Sequence, residues 1–430
     1  MDILFVFIGI LIVFFLLSFP VGVAIGLTCL VALWITNDFS SVPLSLFPLK
    51  MMHGVNNFPM LAIPFFILAA NIMNKGSVTP RIFDLANALV GHFRGGLGHV
   101  NVLASMIFAG MSGTAVADAA GLGALEIKAM RNQGYPLNYS TGITGASSVI
   151  GPIIPPSVAM VVYGWLGDVS VSKLFIAGII PGILFGGSLM VMTWLLSFKI
   201  KMPIQPRPPF SEMFKLAQRA FFPILTPLII VGGIWSGIFT PTESGAIASF
   251  YAIVLCMFVY KEINLKDLLR TFYDTIEFTA IVLFIISMSV LYGWLLVRLQ
   301  IPHVLAEMVS QLSTNTTLLL IAMVMFFLII GCFMSVIEAV LIFTPIMVPM
   351  TQLLGINSIY FGILMVISLS VGVITPPFGN VLYVLVNITK SSFEDVVKAV
   401  LPFYIPIIAV LLLLILMPSL VIFPLKFVGV

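Results

Sequence analysis

The sequence predicts an all-α polytopic membrane protein built from two repeats of inverted topology. The first observation is composition: 60% of the 430 residues are hydrophobic and only 8% are charged, whereas a soluble domain has about 25% charged residues. The second is a series of charge-free windows, most of them long enough for the roughly 20 residues that cross a bilayer as a helix. The third is a pattern of glycine and proline that recurs along the chain.

The recurring pattern keeps one spacing throughout. Its markers in the first half are Pro20, Gly110, Gly151 and Pro155–Pro156, and their counterparts 221 residues later are Pro241, Gly331, Gly372 and Pro376–Pro377. Because proline removes a backbone donor and clashes with the preceding turn, a helix must break at each Pro-Pro pair. Within hydrocarbon a broken helix is tolerated only where it is buried in protein or lines a cavity. Matched breaks in two halves therefore indicate a binding site.

The first repeat is expected over residues 1–198. Its parts are scaffold spans in 1–74, a surface helix at 78–94, a re-entrant hairpin at 97–131, a broken helix at 140–166 and a span at 173–198. The hairpin turns at GMSGT, and the surface helix carries polar residues at helical spacing among apolar ones. Residues 40–53 contain two prolines and a lysine, and we expect them at the membrane interface. The apolar N-terminus lacks a basic n-region and a cleavage site, so we interpret it as the first span.

A polar segment rich in proline and basic residues, 199–216, is expected to link the repeats on the cytoplasmic side. The second repeat, 217–430, follows the same order, with scaffold spans in 217–297, a hairpin at 316–354 around GCFMS, a broken helix at 357–388 and a last span at 397–420. Within its scaffold, an amphipathic stretch at 261–275 is expected to precede a separate span at 276–297.

Charge distribution decides the topology. With hairpins that return to the side they entered, each repeat has about five crossings, and an odd number inverts the second repeat relative to the first. An N-terminus outside places all but four of the 19 Lys and Arg residues inside, as the positive-inside rule requires. The exceptions are Lys50, Lys173, Arg298 and Lys426. A hairpin at 57–92 would move three further basic residues outside, so hairpins at 97–131 and 316–354 are preferred.

The tips and breaks also predict chemistry. Broken helices expose unpaired N–H groups at one end and carbonyls at the other, and the N–H ends attract an anion. Carbonyl and hydroxyl oxygens suit a hard cation such as sodium. The candidate sodium ligands are Gly110, Ser112, Thr114, Ser147, Ser148, Gly151, Pro152, Gly331, Met334, Ser335, Ser368, Gly372, Thr375, Pro376 and Gly379. The candidate substrate contacts are Arg298, Ser112, Pro155, Pro156, Pro377 and Asn380. The alternative is that small residues and prolines only let helices pack and kink.

Isolated charges within apolar segments are a further signal, because burying a charge in a membrane is costly. Arg298 ends a long apolar stretch and is expected either to face a carboxylate in bidentate geometry or to anchor the helix at the interface. Glu243 begins a span, where a carboxylate suits the helix dipole, so capping and function are both open. Asp118 and Glu338 follow the two hairpin tips, and we expect them to support the ligands rather than to be ligands.

Two other classes of function were weighed. Gly110–Gly113 fits the GxSG pattern around the nucleophile of rhomboid-type intramembrane proteases, but such a serine needs a base, and the four histidines lie near span ends or in polar segments. HExxH and GxGD motifs are also absent from the sequence. A passive channel would not need proline-broken helices in inverted pairs. The histidine and cysteine spacings indicate neither a transition-metal site nor a disulfide, so sodium is the only metal expected and no cofactor is.

Four stretches resemble the large membrane subunit (DctM-type) of TRAP transporters, the tripartite ATP-independent periplasmic family. They are GMSGTAVADAAGLGALEIKAM, GASSVIGPIIPPSVAMVVYG, GIFTPTESGA and ITPPFGNVLYV. The resemblance spans essentially the whole chain, and GCFMSVIEA is the segment least typical of the family.

The resemblance implies sodium-driven secondary uptake of an organic anion, such as a C4-dicarboxylate or sialic acid, across the bacterial inner membrane. It implies an elevator-type ion-transporter-like fold, a small four-helix membrane subunit as partner and a periplasmic substrate-binding protein that delivers the substrate. The N-terminus would then be periplasmic. Membrane lipid, but no nucleic acid, is expected around the chain. The alternative is a stand-alone sodium–organic anion symporter that needs no binding protein.

Overall fold

The computed structural model describes residues 2–35, 45–76, 78–200, 202–312 and 315–427. These residues form helices and connecting turns, with no strand among them. Eight helices of this part are long and apolar enough to cross a membrane. The predicted all-α membrane fold is therefore confirmed. Part of the expected interfacial segment 40–53 lies outside the described residues, and the rest falls in a helix.

The first half contains eleven helices among its described residues. They are α1 (Asp2–Leu16), α2 (Val21–Ile35), α3 (Leu46–Val55), α4 (Ala62–Lys75), α5 (Val78–Val90), α6 (Gly96–Ser112), α7 (Ala115–Ala120), α8 (Leu122–Asn132), α9 (Leu137–Ser148), α10 (Val158–Leu166) and α11 (Val171–Leu196). A 3₁₀ turn, Phe58–Leu61, separates α3 from α4. At Gly121 the backbone leaves helical geometry (φ −83°, ψ −81°) and separates α7 from α8.

The second half contains ten helices among its described residues. They are α12 (Phe210–Trp235), α13 (Pro241–Val254), α14 (Leu265–Arg298), α15 (Ile301–Leu312), α16 (Thr316–Phe333), α17 (Val336–Leu353), α18 (Ser358–Gly372), α19 (Asn380–Thr389), α20 (Phe393–Leu416) and α21 (Ser419–Ile422). A π-helical turn, Leu255–Val259, extends α13.

Helices of the two halves have matching bounds. Ser112 ends α6 and Phe333 ends α16, and these residues are 221 apart. Leu137 begins α9 and Ser358 begins α18, again 221 apart. The same spacing had been read from glycines and prolines alone.

The two halves differ where one helix replaces two. The stretch expected as a separate amphipathic segment and span is the single helix α14, which corresponds in position to α3 and α4. Pro59 lies in the turn between α3 and α4, whereas Ala280, 221 residues later, lets α14 continue. Likewise α17 is continuous where α7 and α8 are separated, because Gly121 is replaced by Ile342.

Contacts between the halves come in exchanged pairs. Helix α9 packs against α20 and α18 against α11; α10 packs against α17 and α19 against α7; α4 packs against α13 and α14 against α2. This reciprocity is expected of two repeats related by a pseudo-two-fold axis. The inversion of the second repeat across the membrane remains a prediction.

Polar contacts join α4 and α5 to the second half. The Asn71 Nδ2 atom donates to Thr275 Oγ1 at 3.1 Å, and Lys75 pairs with Asp274 at 3.3 Å. Arg81 pairs with Glu262 at 2.9 Å. These contacts hold α14 and the segment before it against the first-half helices and leave the tips and breaks to the remaining elements.

Candidate functional site

The first hairpin tip contacts the first Pro-Pro break through glycine. Helix α6 ends at Ser112, Gly113 adopts a left-handed conformation (φ 62°), and the Thr114 side chain caps α7 by accepting a hydrogen bond from the backbone. A Cβ atom on Gly113 would lie 2.9 Å from the Pro156 carbonyl oxygen. A Cβ atom on Gly151 would lie 3.1 Å from the Thr114 carbonyl carbon. Only glycine permits these two backbones to approach so closely.

The second hairpin tip contacts the second break in the same way. A Cβ atom on Gly331 would lie 2.6 Å from the Leu369 carbonyl oxygen and 2.9 Å from Gly372 Cα. The Gly379 N–H donates to the Cys332 carbonyl at 2.9 Å. The following helix, α17, begins with a capping box in which the Ser335 N–H donates to Glu338 Oε2 at 3.0 Å.

Both tips and both breaks meet at one cavity of about 360 Å³. We call it the central cavity. Thr114 and Ser335 contribute from the tips, Pro152 and Val373 from the breaks, and Phe278 of α14 forms part of the wall. None of the described residues that line it carries a charged side chain. Any charged ligand here would be recognised by backbone and hydroxyl groups.

Helix ends supply the electrostatics of this region. Helices α6, α9, α16 and α18 end in the tips and breaks, and α7, α10, α17 and α19 begin there. The beginnings direct N–H groups, which favour anions, and the ends direct carbonyl groups, which favour cations. The sequence had predicted this combination from the positions of glycine and proline.

The structure separates the predicted sodium ligands into two groups. Thr114, Pro152 and Ser335 line the central cavity, and Gly110, Gly151, Gly331, Met334, Gly372, Pro376 and Gly379 lie in the tips and breaks around it. The other hydroxyls bond elsewhere. Ser148, Ser368 and Thr375 each donate to a carbonyl of their own helix, at 2.8, 2.6 and 2.8 Å. Ser112 donates to the Asp118 carboxylate, and Ser147 donates to Asn101.

The predicted substrate contacts are also divided. Pro155, Pro156 and Pro377 form the breaks, with cis bonds at Pro155–Pro156 and Pro376–Pro377, and Asn380 is the first residue of α19. Arg298 lies at the exposed C-terminal end of α14. It is twenty residues from Phe278, which corresponds to about 30 Å along a helix, so the structure does not bring Arg298 to the central cavity.

Arg298 instead lies beside a second, larger cavity. The Arg298 Cζ and Lys50 Nζ atoms are 5.9 and 5.7 Å from the centre of the Trp294 ring. Lys50 and Trp294, together with His53 and Trp165, line a cavity of about 800 Å³ between α3, α14, α10 and α17. We call it the outer cavity.

The three supporting carboxylates have different surroundings. Glu243 is exposed and forms the capping box of α13 with Thr240, and Glu338 forms that of α17. Asp118 is only 2% exposed and joins the tip to the break, because it accepts from Ser112 while a Cβ atom on Gly151 would lie 2.5 Å from its other oxygen.

Sequence reasoning missed Asn101, Glu126 and Thr144. The sequence analysis assigned these positions no role, although all three side chains are buried and hydrogen-bonded to one another. The available signal was an acidic residue in an apolar hairpin arm, which is unusual inside a membrane.

Comparison with known proteins places the chain in a family. A family model described as the tripartite ATP-independent periplasmic transporter, DctM component, matches residues 8–420. The chain is 39% identical over 400 residues to the sialic acid TRAP transporter large permease protein SiaM of Vibrio cholerae, with 93% of each chain covered. It is 38% identical over 413 residues to the 2,3-diketo-L-gulonate TRAP transporter large permease protein YiaN of Escherichia coli, covering 95% of this chain and 97% of the relative.

Two further similarities concern length and fold. The sialic acid TRAP transporter permease protein SiaT of Haemophilus influenzae is 39% identical over 374 residues, which cover 87% of this chain but 61% of SiaT. The YdaH transporter structure of Alcanivorax borkumensis superposes with a TM-score of 0.70 at 14% identity, covering 93% of this chain and 98% of that one; this likeness concerns the fold alone. The predicted resemblance is confirmed, and the chain belongs to the DctM-component family of tripartite ATP-independent periplasmic transporters and is a transporter rather than an enzyme.

Proposed function

We propose that the chain carries out sodium-gradient-driven uptake of a small organic anion through the central cavity. Membership of the family supports secondary uptake of a carboxylate by a multi-pass protein of the bacterial inner membrane. The finer statements, namely sodium coupling, an elevator movement and the site residues, are our proposal.

The observation that carries the proposal is the meeting of both hairpin tips and both breaks at one uncharged cavity. Helix N-termini there would hold the carboxylate of the substrate. The carbonyl ends of α6, α9, α16 and α18, with Thr114 and Ser335, would hold sodium. Since neither ligand has a charged side chain as partner, each would neutralise the other. That mutual dependence is the basis of coupled transport.

The outer cavity suggests where the substrate enters. Lys50 lines it and Arg298 lies on the same Trp294 ring, and both residues are among the few basic residues expected outside. An organic anion approaching from the periplasm would meet these cations before it reaches the central cavity. In this proposal Arg298 raises the local substrate concentration and does not hold the substrate during translocation.

Partners are proposed from the family and from relative length. A small four-helix membrane subunit and a periplasmic substrate-binding protein would complete the transporter. The additional part of SiaT, which this chain does not cover, supports a separate membrane subunit here. In the elevator proposal, α1–α4 and α12–α14 form the scaffold, and α6–α11 with α16–α20 move.

The test is uptake into proteoliposomes. The chain, its membrane subunit and the binding protein would be reconstituted, and sialic acid, 2,3-diketo-L-gulonate and C4-dicarboxylates offered with an inward sodium gradient or with choline. We expect uptake of one carboxylate that requires sodium and the binding protein. Equal uptake in choline would refute sodium coupling, and full uptake by the chain alone would identify a stand-alone symporter.

A further inference from the structure

A cluster of four buried polar side chains lies behind the first hairpin tip. It comprises Asn101 on α6, Glu126 on α8, and Thr144 and Ser147 on α9, and we call it the Glu126 cluster. The Asn101 Nδ2 atom donates to Glu126 Oε2 and to Thr144 Oγ1, both at 2.7 Å. Ser147 Oγ donates to Asn101 Oδ1 at 2.7 Å. Each of the four side chains is at most 1% exposed.

The carboxylate of this cluster is incompletely paired. Glu126 Oε1 is buried and has no hydrogen-bond partner among the described residues, and no ion pair of the described residues includes Glu126. The other acidic side chain close enough to act on it is Asp118, whose Oδ2 is also buried without a partner. Two carboxylates therefore share a site without a basic side chain, and a buried charge of this kind is costly until a cation neutralises it.

The Asn101 amide makes a cation site possible without moving the backbone. A half-turn of this amide exchanges two atoms of similar size and directs Oδ1 towards Glu126 and Thr144. The Nδ2 atom then faces Ser147 Oγ, which can accept a hydrogen bond in place of donating one. In that arrangement carboxylate, amide and hydroxyl oxygens surround one point. Hard oxygen ligands with a single adjacent carboxylate suit a monovalent hard cation.

The second repeat shows that the fold does not require this cluster. At 221 residues after Asn101, Glu126 and Thr144 the sequence has Ala322, Met347 and Met365. Of the four positions, only Ser147 has a polar counterpart, Ser368. Apolar residues thus occupy the corresponding positions in the other half, and the polar residues of the first half call for a function of their own.

We propose that the Glu126 cluster binds one sodium ion, at a position separate from the tips and breaks and present in the first repeat only. The proposal rests on the sodium-driven uptake proposed above. Binding there connects α6, α8 and α9, and through the Asn101–Ser147 hydrogen bond it acts on the helix that ends at the first break. An ion at this site would therefore prepare the first tip and break for the substrate.

The test compares variants of the full chain in two measurements. Thermal stability of the purified protein is titrated with sodium, with choline replacing it at constant ionic strength, and sodium-dependent uptake is measured with the complete transporter. E126Q retains the shape of the side chain and removes its charge. We expect it to raise the sodium concentration at half-maximal stabilisation by about tenfold or more and to lower the Hill coefficient. E307Q, the same change at an exposed residue of α15, serves as the control and should behave like the wild type.

A second variant guards against misfolding of the first. The triple substitution N101A/E126M/T144M gives the first repeat the residues of the second, so it should fold and lose the same sodium response. A wild-type sodium titration in E126Q or in the triple variant would overturn the proposal. So would stabilisation of the wild type by low pH without sodium, which would assign the cluster to a proton. Absence of any sodium dependence in wild-type uptake would instead refute the proposed function.

Discussion

Thr114 and Ser335 are the two hydroxyl residues that line the central cavity, and each also caps the helix that follows it. T114V retains the shape of the side chain and removes its oxygen. We expect the sodium concentration for half-maximal uptake to rise by about tenfold, which corresponds to ~1.4 kcal/mol of lost ligand energy. T271V removes a buried hydroxyl that bonds only within α14 and should leave that concentration unchanged. Equal effects of the two substitutions would show that Thr114 is not a ligand.

Arg298 offers a prediction about entry rather than holding. R298A should raise the KM for substrate by about three- to tenfold at low ionic strength, because a cation on the approach path increases the encounter rate. The effect should shrink as salt is added, and the half-saturating sodium concentration should stay constant. A change in sodium affinity would place Arg298 at the central site after all. Both concentrations come from the same uptake series.

Residue roles were predictable from sequence only where backbone geometry determined them. The glycines and prolines of the tips and breaks could be located because few other residues permit those conformations. Hydroxyl roles could not, since Ser148 and Thr375 lie in the correct segments yet bond within their own helices. The distant position of Arg298 follows from the unbroken length of α14, which the sequence analysis had divided.

At the level of elements, the contact between α16 and α18 depends on Gly331. G331A would place a methyl group 2.6 Å from a backbone carbonyl of α18, and neither backbone can give way cheaply. We expect a loss of about 1–3 kcal/mol of stability from overpacking, measured as a lower unfolding temperature in detergent. G187A, on an open face of α11 with no atom within 4 Å of the new methyl, should be neutral or slightly stabilising. Equal unfolding temperatures would contradict this account of the α16–α18 contact.

Element order was predictable because hydrophobic runs and their interruptions are written in the sequence. Element continuity was harder. The 34 residues of α14 form a helix of about 51 Å, which exceeds the roughly 30 Å of a bilayer core, so its first turns extend beyond the apolar region. An amphipathic segment followed by an apolar one therefore need not contain a break.

For the whole molecule, five crossings in each repeat place both chain termini on the same side. Alkaline phosphatase fused at the N-terminus or at the C-terminus should be active, which reports a periplasmic location. A fusion in the segment between α11 and α12 should be inactive, because that segment is expected in the cytoplasm. Termini on opposite sides would exclude the inverted arrangement.

The elevator movement predicts that one crosslink is harmful and another is not. His53 of α3 and Trp165 of α10 have ring centres 6.2 Å apart across the proposed boundary between scaffold and moving part. H53C/W165C joined by a bis-methanethiosulfonate reagent should lose uptake, and reductant should restore it. N71C/T275C joins α4 to α14 within the scaffold and should retain uptake when crosslinked. Uptake by the crosslinked H53C/W165C protein would rule out this division into moving parts.

The arrangement of the whole chain was the most predictable level, because a constant spacing and a charge count constrain it strongly. The Glu126 cluster was the least predictable feature. It joins residues from three helices that are separated by 25 or more positions, and a single sequence does not show which buried polar groups will meet.

The interruption at Gly121 makes the two hairpins mechanically unequal. In the first hairpin the short helix α7 can pivot about Gly121 while α8 stays fixed, whereas in the second the tip is continuous with the whole of α17. A pivoting tip can open like a gate on its own, but a continuous one must carry its entire arm. Loading and release would then follow different paths on the two faces of the membrane, with a local opening on the side of the first hairpin and a bodily displacement on the other.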